Sequence, residues 1–453
     1  MLVVGLARTG VATALFCAER GARVTATEER AESQLLEIAA KLRAAGVTLE
    51  LGGHTRETFL QQDLIVLSPG VSPALPAIAA ARSATIPVWS EIELASRFLR
   101  GRMICITGSN GKTTTTSLVG HILETAGLPV QVAGNIGTPL ISRVGVSSDA
   151  GFTVVEASSF QLESISAFRP DIAVLLNLTP DHLDRHATFE AYRSAKGRIF
   201  ENQDENCSAV LNADDPAAAG LAPSRPQLYW FSRDRRVASG CFLRQGEIVF
   251  RSDGSETVLL ERRAIGLRGD HNVENVLAAA AAAAIAGVEP RMIAEGVRTF
   301  AGVEHRLEFV AEISGVEYFN DSKATNVDAT LKALDAFSGN LVVILGGKDK
   351  GSDFSLLREP LRRHARLALL IGAAAEKIEA QLGGVVPVER AESMERAVEL
   401  AAERSRPGDT VVLTPACASF DQFENYEHRG RVFKQLVRTL AAGQLSGQPS
   451  REV

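Results

Sequence analysis

Short apolar runs recur along this chain, each closed by glycine or a polar turn and followed by a stretch with helical spacing. They include LVV (2–4), LIVL (64–67), MICI (103–106), FTVV (152–155), IAVLL (172–176), LVVIL (341–345), LALLI (367–371) and TVVL (410–413). Runs so short and so continuously apolar suit strands covered on both faces, and their alternation with helices predicts parallel sheets. Ligands of such sheets bind at the carboxyl ends of the strands. The units fall into three series and predict an α/β protein of three domains: residues 1–90, 91–302 and 303–453. Within the second, residues 207–265 alternate short apolar and polar stretches around a Gly-Glu turn and predict a β-hairpin region. A helix is expected from Phe189 to about Phe200, and an Ala-rich helix ending near Gly287, with Asn272 a candidate N-cap. The tail after about residue 442 is small and polar and is expected to be disordered. The first strand starts at the initiator Met and is short, so a few residues are expected to be missing upstream.

The stretch ICITGSNGKTTTTSL (104–118) concentrates the chemistry. A buried strand runs into Gly108, Ser109, Asn110 and Gly111, which allow a tight turn, and Lys112, Thr113 and Thr114 open a helix. Backbone amides at such a turn and helix start point outward and favour phosphate oxygens. Lys112 can reach the outer phosphates as a point charge, and Thr113 or Thr114 can place a hydroxyl on Mg²⁺. The standard P-loop, G-x-x-x-x-G-K-[ST], would need glycine at 106, where Ile106 stands. A plain glycine turn before an amphipathic helix is the structural alternative. Strand, glycines, Lys and Thr in one stretch nevertheless predict a nucleoside triphosphate site.

Other polar positions gather at further strand ends. Glu156 closes the FTVVE run, where a Mg²⁺ ligand beside a phosphate loop is needed. Asp181, His182, Asp184 and His186 follow the next strand; alone they read as a polar loop, and beside the phosphate loop His182 becomes a candidate ligand. Lys196, taken alone, reads as a solvated charge on a helix. In the first segment Gly5 and Gly10 flank Thr9 without making G-x-G-x-x-G. Leu6, Ala7, Arg8, Thr9, Thr27, Glu28, Ser68 and Gly70 would share a rim suited to a diphosphate, a nucleotide sugar or a dinucleotide. In the third segment Asp321, Ser322, Lys323, Lys348, Asp349, Lys350, Ser419 and Tyr426 would form another polar rim.

Composition narrows the class. A net charge of -6 and a pI near 5.9 argue against nucleic acid as the main partner. Five scattered cysteines without a C-x-x-C pair fit a reduced, cytoplasmic protein, and no apolar run approaches the length that crosses a bilayer.

TGSNGKTTT, GNIG, VVEASSFQLE, LNLTPDHLDRH, AKGRIF, GDHNVENVLAA, EHRLE, NDSKATN, GGKDKGSDF and LTPACASFDQFENYEHRG stand in the order seen in the Mur ligases. The chain resembles that family over nearly its whole length except the tail. With SEIELA, DSKATN and PACASFDQF it is similar to the D-glutamate-adding branch in particular. The resemblance implies an N-terminal Rossmann-like nucleotide-sugar domain, a central P-loop ATPase-like domain and a C-terminal Rossmann-like domain for the amino acid. It implies a cytoplasmic, monomeric ligase of peptidoglycan precursor synthesis, joining D-glutamate to UDP-N-acetylmuramoyl-L-alanine through an acyl phosphate. ATP and two Mg²⁺ ions would be required, and the last domain would close over the middle one. Gly108, Ser109, Asn110, Gly111, Lys112, Thr113 and Thr114, with Asn275, Arg306 and Asp321, would hold ATP. Thr113, Glu156, His182 and Lys196 would serve the metals, Lys196 as an N6-carboxylated lysine, and Lys112 would join the last three in catalysis. Thr9, Thr27, Ser68, Gly70 and Asn135 would meet the nucleotide sugar, and Lys323, Thr325, Lys350, Ser419 and Tyr426 the amino acid. The chain departs from the pattern in its short first strand, at Ala26 where a carboxylate is often expected, and at Gly197 where a larger residue is usual.

Rival readings meet specific obstacles. A sister ligase would add L-alanine, a diamino acid or D-Ala-D-Ala; the diamino-acid branch should carry Asp-Asn-Pro-Arg, which this chain lacks. A folylpolyglutamate synthase has no first nucleotide-sugar domain, so residues 1–90 speak against it. A nicotinamide oxidoreductase would leave the Lys112 loop without a role, and a regulatory NTPase switch would leave the third domain unexplained.

Overall fold

The computed structural model describes residues 1–135, 137–349 and 351–446. Within them twenty strands form three sheets. The first sheet holds β1 (Leu2–Val4), β2 (Thr25–Glu28), β3 (Thr48–Leu51), β4 (Ile65–Leu67) and β5 (Val88–Ser90), parallel throughout in the order β3-β2-β1-β4-β5. The order reverses between β1 and β4, so the turns after these two strands lie side by side, where doubly wound sheets bind ligands. The spacing of Gly5 and Gly10 has a steric cause. Gly5 turns at φ +88°, and a Cβ on Gly10 would lie 1.8 Å from the Gly5 carbonyl oxygen. The helix Arg8–Glu19 can start that close to the turn only with glycine at both points.

The second sheet holds β6 (Arg102–Thr107), β7 (Val130–Gly134), β8 (Phe152–Glu156), β9 (Ile172–Leu175), β10 (Ser208–Asn212), β11 (Gln227–Ser232), β12 (Gly240–Arg244), β13 (Glu247–Ser252) and β14 (Ser255–Glu261). Their order is β14-β13-β12-β11-β10-β9-β6-β8-β7. The expected hairpins are found only at β12–β13–β14; β10 and β11 instead extend the parallel sheet. Every residue of β10 is buried, so its pattern is that of a covered strand rather than of an alternating hairpin. The third sheet holds β15 (Glu308–Ile313), β16 (Val316–Asn320), β17 (Leu341–Gly346), β18 (Ala365–Ile371), β19 (Val388–Glu392) and β20 (Thr410–Leu413) in the order β15-β16-β20-β17-β18-β19. Only β15 runs antiparallel.

The chain divides into two compact units, residues 1–265 with 273–300, and 266–272 with 301 onward. The first two sheets lie in the first unit and the third in the second. Two local expectations change. The Ala-rich helix is Asp270–Ile285, so Asn272 sits inside the first turn rather than at the cap, and its Nδ2 donates to Arg268 O at 2.6 Å. Gly269, at φ +88°, turns the chain into the helix earlier than the sequence suggested. The last helix, Tyr426–Ser446, continues past residue 442 where disorder was expected, and residues 447–453 lie outside the described ones. No helix among the described residues is long and apolar enough to cross a membrane.

The SEIELA segment joins the first two sheets through two buried carboxylates. Glu93 Oε2 accepts from the amides of Ser166, Ala167 and Phe168 at 2.8, 3.0 and 2.8 Å, and Arg97 Nε donates to its Oε1 at 2.8 Å. Glu91 Oε1 accepts from Ile141 N at 2.6 Å, while its buried Oε2 has no hydrogen-bond partner among the described residues. Burial pushes the Glu91 carboxyl from 4.5 up to about 7. The folded chain therefore holds a proton that the unfolded chain releases, and stability from this group is lost as pH rises from about 4.5 through 7. Glu91→Gln removes that dependence. The stability of the variant relative to wild type is expected to grow between about pH 5 and about pH 8, by ~3 kcal/mol at most. Urea denaturation at both pH values giving the same difference would contradict this.

Candidate active site

β6 delivers the phosphate loop. Gly108 (φ +152°) and Gly111 (φ +81°) turn the chain into the helix Lys112–Thr125. A Cβ on Gly108 would lie 2.9 Å from Leu176 Cβ, and one on Gly111 would lie 2.1 Å from Asn275 Oδ1, which also accepts from Thr115 Oγ1 at 3.3 Å. Ile106, standing where a P-loop would have glycine, is buried inside the strand, so the turn starts later. Residues after β9 mould the loop. Asn110 N donates to Asn177 Oδ1 at 2.8 Å, and Ser109 Oγ meets Thr179 O at 3.0 Å and Tyr192 OH at 2.9 Å. Lys112 Nζ lies over the loop, donating to Gly108 O at 2.9 Å and Ser109 O at 2.8 Å.

Glu156, at the end of β8, is 1% exposed. Its Oε2 accepts from Thr113 Oγ1 at 2.8 Å and its Oε1 from Asn135 Nδ2 at 2.9 Å. Both of these partners are neutral, while the buried Lys196 amine is near enough to feel the Glu156 charge. Thr113, Glu156 and Asn135 thus form one hydrogen-bonded line; Thr114 stands one position further along the helix. Lys196 overturns the surface reading, being 2% exposed. The helix Phe189–Gly197, capped by Thr188, turns Tyr192, Ala195 and Lys196 inward. Lys196 Nζ donates to Gly108 O at 2.8 Å, the same carbonyl that Lys112 uses. Burial first, and the neighbouring Lys112 charge second, hold its pKa well below the ordinary lysine range. A Cβ on Gly197 would lie 3.2 Å from Leu221 Cδ2, a contact that a slight shift of that side chain would relieve.

His182 and His186 both pack against Phe160 and Tyr192 but differ in exposure. His182, at φ +53°, is exposed, with its ring edge-on to Phe160 at 4.8 Å and Nε2 3.6 Å from Asp181 Oδ2. His186 is buried, its Nε2 2.9 Å from Ser159 Oγ and its Nδ1 3.2 Å from Glu163 Oε1, and burial holds its pKa below the ordinary range. It supports the loop rather than lining the site. The side chain of Asp184 lies outside the described residues.

At the first sheet, two expected ligand hydroxyls are engaged within the fold. Thr27 Oγ1 donates to Gly53 O at 3.1 Å and lies 2.8 Å from His54 Nδ1, and Ser68 Oγ donates to Gly5 O at 2.8 Å. Thr9, in the first helical turn, is half-buried and Gly70 is exposed. Glu28 Oε2 accepts from Leu6 N at 2.7 Å and Arg30 Nη2 at 3.1 Å; although burial pushes the carboxyl up, these bonds hold it below the usual range. Arg8 Nη1 reaches Gly137 O at 2.7 Å and Arg185 Nη1 reaches Pro69 O at 3.1 Å, tying this rim to the loops of the second sheet. A cavity of about 770 Å³ opens beside it, lined by Leu6, Arg8, Leu15, Arg30 and Ile141 among others.

In the second unit, the loops after β16, β17 and β20 make a polar rim. Asp321 accepts from Leu307 N at 3.2 Å and Thr414 Oγ1 at 3.3 Å, and burial pushes it up to about 7. Lys323 Nζ lies 5.4 Å from the Tyr426 ring centre, and Thr325 N donates to Lys323 O at 2.8 Å. Lys348 N donates to Ala418 O at 2.8 Å, next to the buried Ser419. Arg306 N donates to Val303 O at 3.1 Å, close to Asp321 in charge. Lys350 lies outside the described residues.

Sequence comparison places known proteins beside this geometry. The chain matches the Mur ligase MurD-like N-terminal domain over residues 1–90, the Mur ligase middle domain over 106–283 and the Mur ligase glutamate ligase domain over 305–417. It is 52% identical to the UDP-N-acetylmuramoylalanine--D-glutamate ligase of Koribacter versatilis, covering 97% of each chain. It is 53% identical to the ligase of the same name from Solibacter usitatus, again over 97% of each. Among solved structures, UDP-N-acetylmuramate-alanine ligase MurC from Thermotoga maritima shares the fold at TM-score 0.59 and 20% identity, covering 97% of this chain and 99% of that one. The MurF ligase from Thermotoga maritima in complex with ADP does so at 0.60 and 18%, covering 92% and 96%.

Proposed function

Because the chain belongs to the Mur ligase family, we propose that it is the ATP-dependent enzyme that joins D-glutamate to UDP-N-acetylmuramoyl-L-alanine in cytoplasmic peptidoglycan precursor synthesis. One arrangement carries the reading: the line Thr113–Glu156–Asn135 beside a carbonyl, Gly108 O, that two lysines share. We assign residues 1–90 to the nucleotide sugar, 91–302 to ATP and 303–453 to the amino acid.

A divalent cation fits the line. Thr113 and Glu156 offer hard oxygen donors, and a buried carboxylate whose hydrogen bonds come from neutral groups keeps its charge available to a cation. When bound, Mg²⁺ would neutralise the phosphates and polarise the phosphoryl group under attack. A second ion would use His182 and Lys196. As an ammonium Lys196 cannot ligate; its neutral form can add CO₂, forming an N–C bond and releasing one proton, and then offers hard carboxylate oxygens.

The chemistry needs a carboxylate to become an electrophile. An oxygen of the alanyl carboxylate attacks the γ-phosphorus of ATP, the bond to ADP breaks, and an acyl phosphate forms. The amine of D-glutamate then attacks the acyl carbon, phosphate departs, and the amine loses its proton. Loop amides and Lys112 meet the triphosphate, while Thr113 and Glu156 keep the metal side in register, so the protein acts by positioning and electrostatics. Asn275, Arg306 and Asp321 are assigned to ATP. Thr9, Thr27, Ser68, Gly70 and Asn135 are assigned to the nucleotide sugar, the first rim acting through its backbone as much as its hydroxyls. Lys323, Thr325, Lys350, Ser419 and Tyr426 are assigned to D-glutamate.

The test is ADP release with UDP-N-acetylmuramoyl-L-alanine and a panel of amino acids. D-glutamate alone should sustain turnover. Turnover with L-alanine or a diamino acid instead would reassign the branch, and turnover with none would overturn the proposal.

A further inference from the structure

The helix Tyr426–Ser446 turns one guanidinium fully inward: Arg429 is 0% exposed. Its Nε donates to Ser322 Oγ at 3.0 Å, its Nη2 to Ser322 O at 2.8 Å and its Nη1 to Cys417 O at 3.1 Å. Ser322 Oγ in turn donates to Tyr426 O at 2.8 Å. A Cβ on Gly347, at φ +133°, would lie 3.2 Å from Arg429 Nη1, so the loop after β17 rests against the same group. Three strand-end loops and the start of the helix therefore meet at one side chain.

No carboxylate hydrogen-bonds to this cation among the described residues. Burial lowers its pKa only to about 10, so it keeps its charge near neutral pH. A buried charge without an ion pair is a poor source of stability, since an apolar side chain of similar volume would avoid its desolvation. What a planar, rigid fork does provide is fixed geometry between the groups that accept from it.

We propose that Arg429 is a positioning residue, locking the loops after β16, β17 and β20 in the arrangement that presents Lys323, Thr325, Ser419 and Tyr426 to the amino-acid substrate. The kinetic part rests on assigning D-glutamate to this rim.

Arg429→Lys keeps the charge and loses the fork, and Ser322→Ala removes one acceptor as a milder change. Hydrogen exchange should accelerate at least about tenfold at residues 321–325 and 414–419 while β17 and β18 keep their protection. KM for D-glutamate should rise about tenfold in Arg429→Lys, with KM for the nucleotide sugar within about twofold of wild type. Unchanged exchange in those loops overturns the proposal, as does protection lost across the whole sheet with every KM rising together. If wild type does not use D-glutamate, the substrate assignment fails, while the exchange measurement still decides whether Arg429 locks the loops.

Discussion

Lys196→Ala is expected to lower turnover by about a thousandfold or more, and short carboxylates such as acetate are expected to restore part of it. Two lysine amines donate to the one carbonyl of Gly108, and both cannot be comfortably charged there. Lys196 is buried and faces the Lys112 charge, and both hold its pKa well below the ordinary lysine range. A neutral, buried amine is a nucleophile for CO₂. Carbamylation would replace a repelling cation with an anion at the place where the reaction gathers phosphate and metal charge. Wild-type enzyme held in CO₂-free buffer should lose activity and regain it with bicarbonate. The alternative is that Lys196 works as a plain cation. In that case methylamine, not acetate, would rescue Lys196→Ala, and bicarbonate would have no effect. Near-normal turnover of Lys196→Ala would remove the residue from the mechanism altogether.

Glu156→Gln should separate activity from stability. The amide preserves the shape of the side chain and can still bond to Thr113 and Asn135, both neutral partners. What it removes is a carboxylate that is 1% exposed and accepts hydrogen bonds from two neutral side chains. Turnover should drop by about a hundredfold or more, with the Mg²⁺ concentration for half-maximal rate moving upward. The metal-free protein should melt at the same temperature as wild type or higher, because a buried charge without a hydrogen-bonded cation is gone. A variant that melts much lower and shows the wild-type Mg²⁺ dependence would mean that Glu156 serves the fold and not the metal.

The parts of this site visible in the sequence are those where function and local structure share a few consecutive residues. Gly108 to Thr113 could be read because strand, turn and helix start impose their own residue types, and Glu156 because it closes an apolar run. Lys196 could not be read from local pattern. Its burial depends on which face of the helix Phe189–Gly197 meets the end of β6, and only the family resemblance singled it out. Asn177 and Tyr192 escaped notice for the same reason, since they act on the phosphate loop across the sheet. Thr27 and Ser68 illustrate the opposite difficulty. Their place on a rim was legible, but their hydroxyls close the rim's own loops. β10 and β11 looked like hairpin strands because neighbouring residues alternate, and tertiary cover made them central instead. Arg429 carried no local signal at all: an arginine in the first turn of a long helix is ordinarily solvated, and its partners lie 107 and 12 residues away.

The proposed reaction requires the alanyl carboxylate to be phosphorylated before the amide forms, and oxygen labelling tests this most directly. UDP-N-acetylmuramoyl-L-alanine carrying ¹⁸O in its alanyl carboxylate should be turned over with ATP and D-glutamate, and the released phosphate analysed by mass spectrometry. One carboxylate oxygen should leave with each phosphate, because the acyl phosphate breaks between carbon and oxygen. Phosphate free of label, formed while the amide accumulates, would contradict the mechanism.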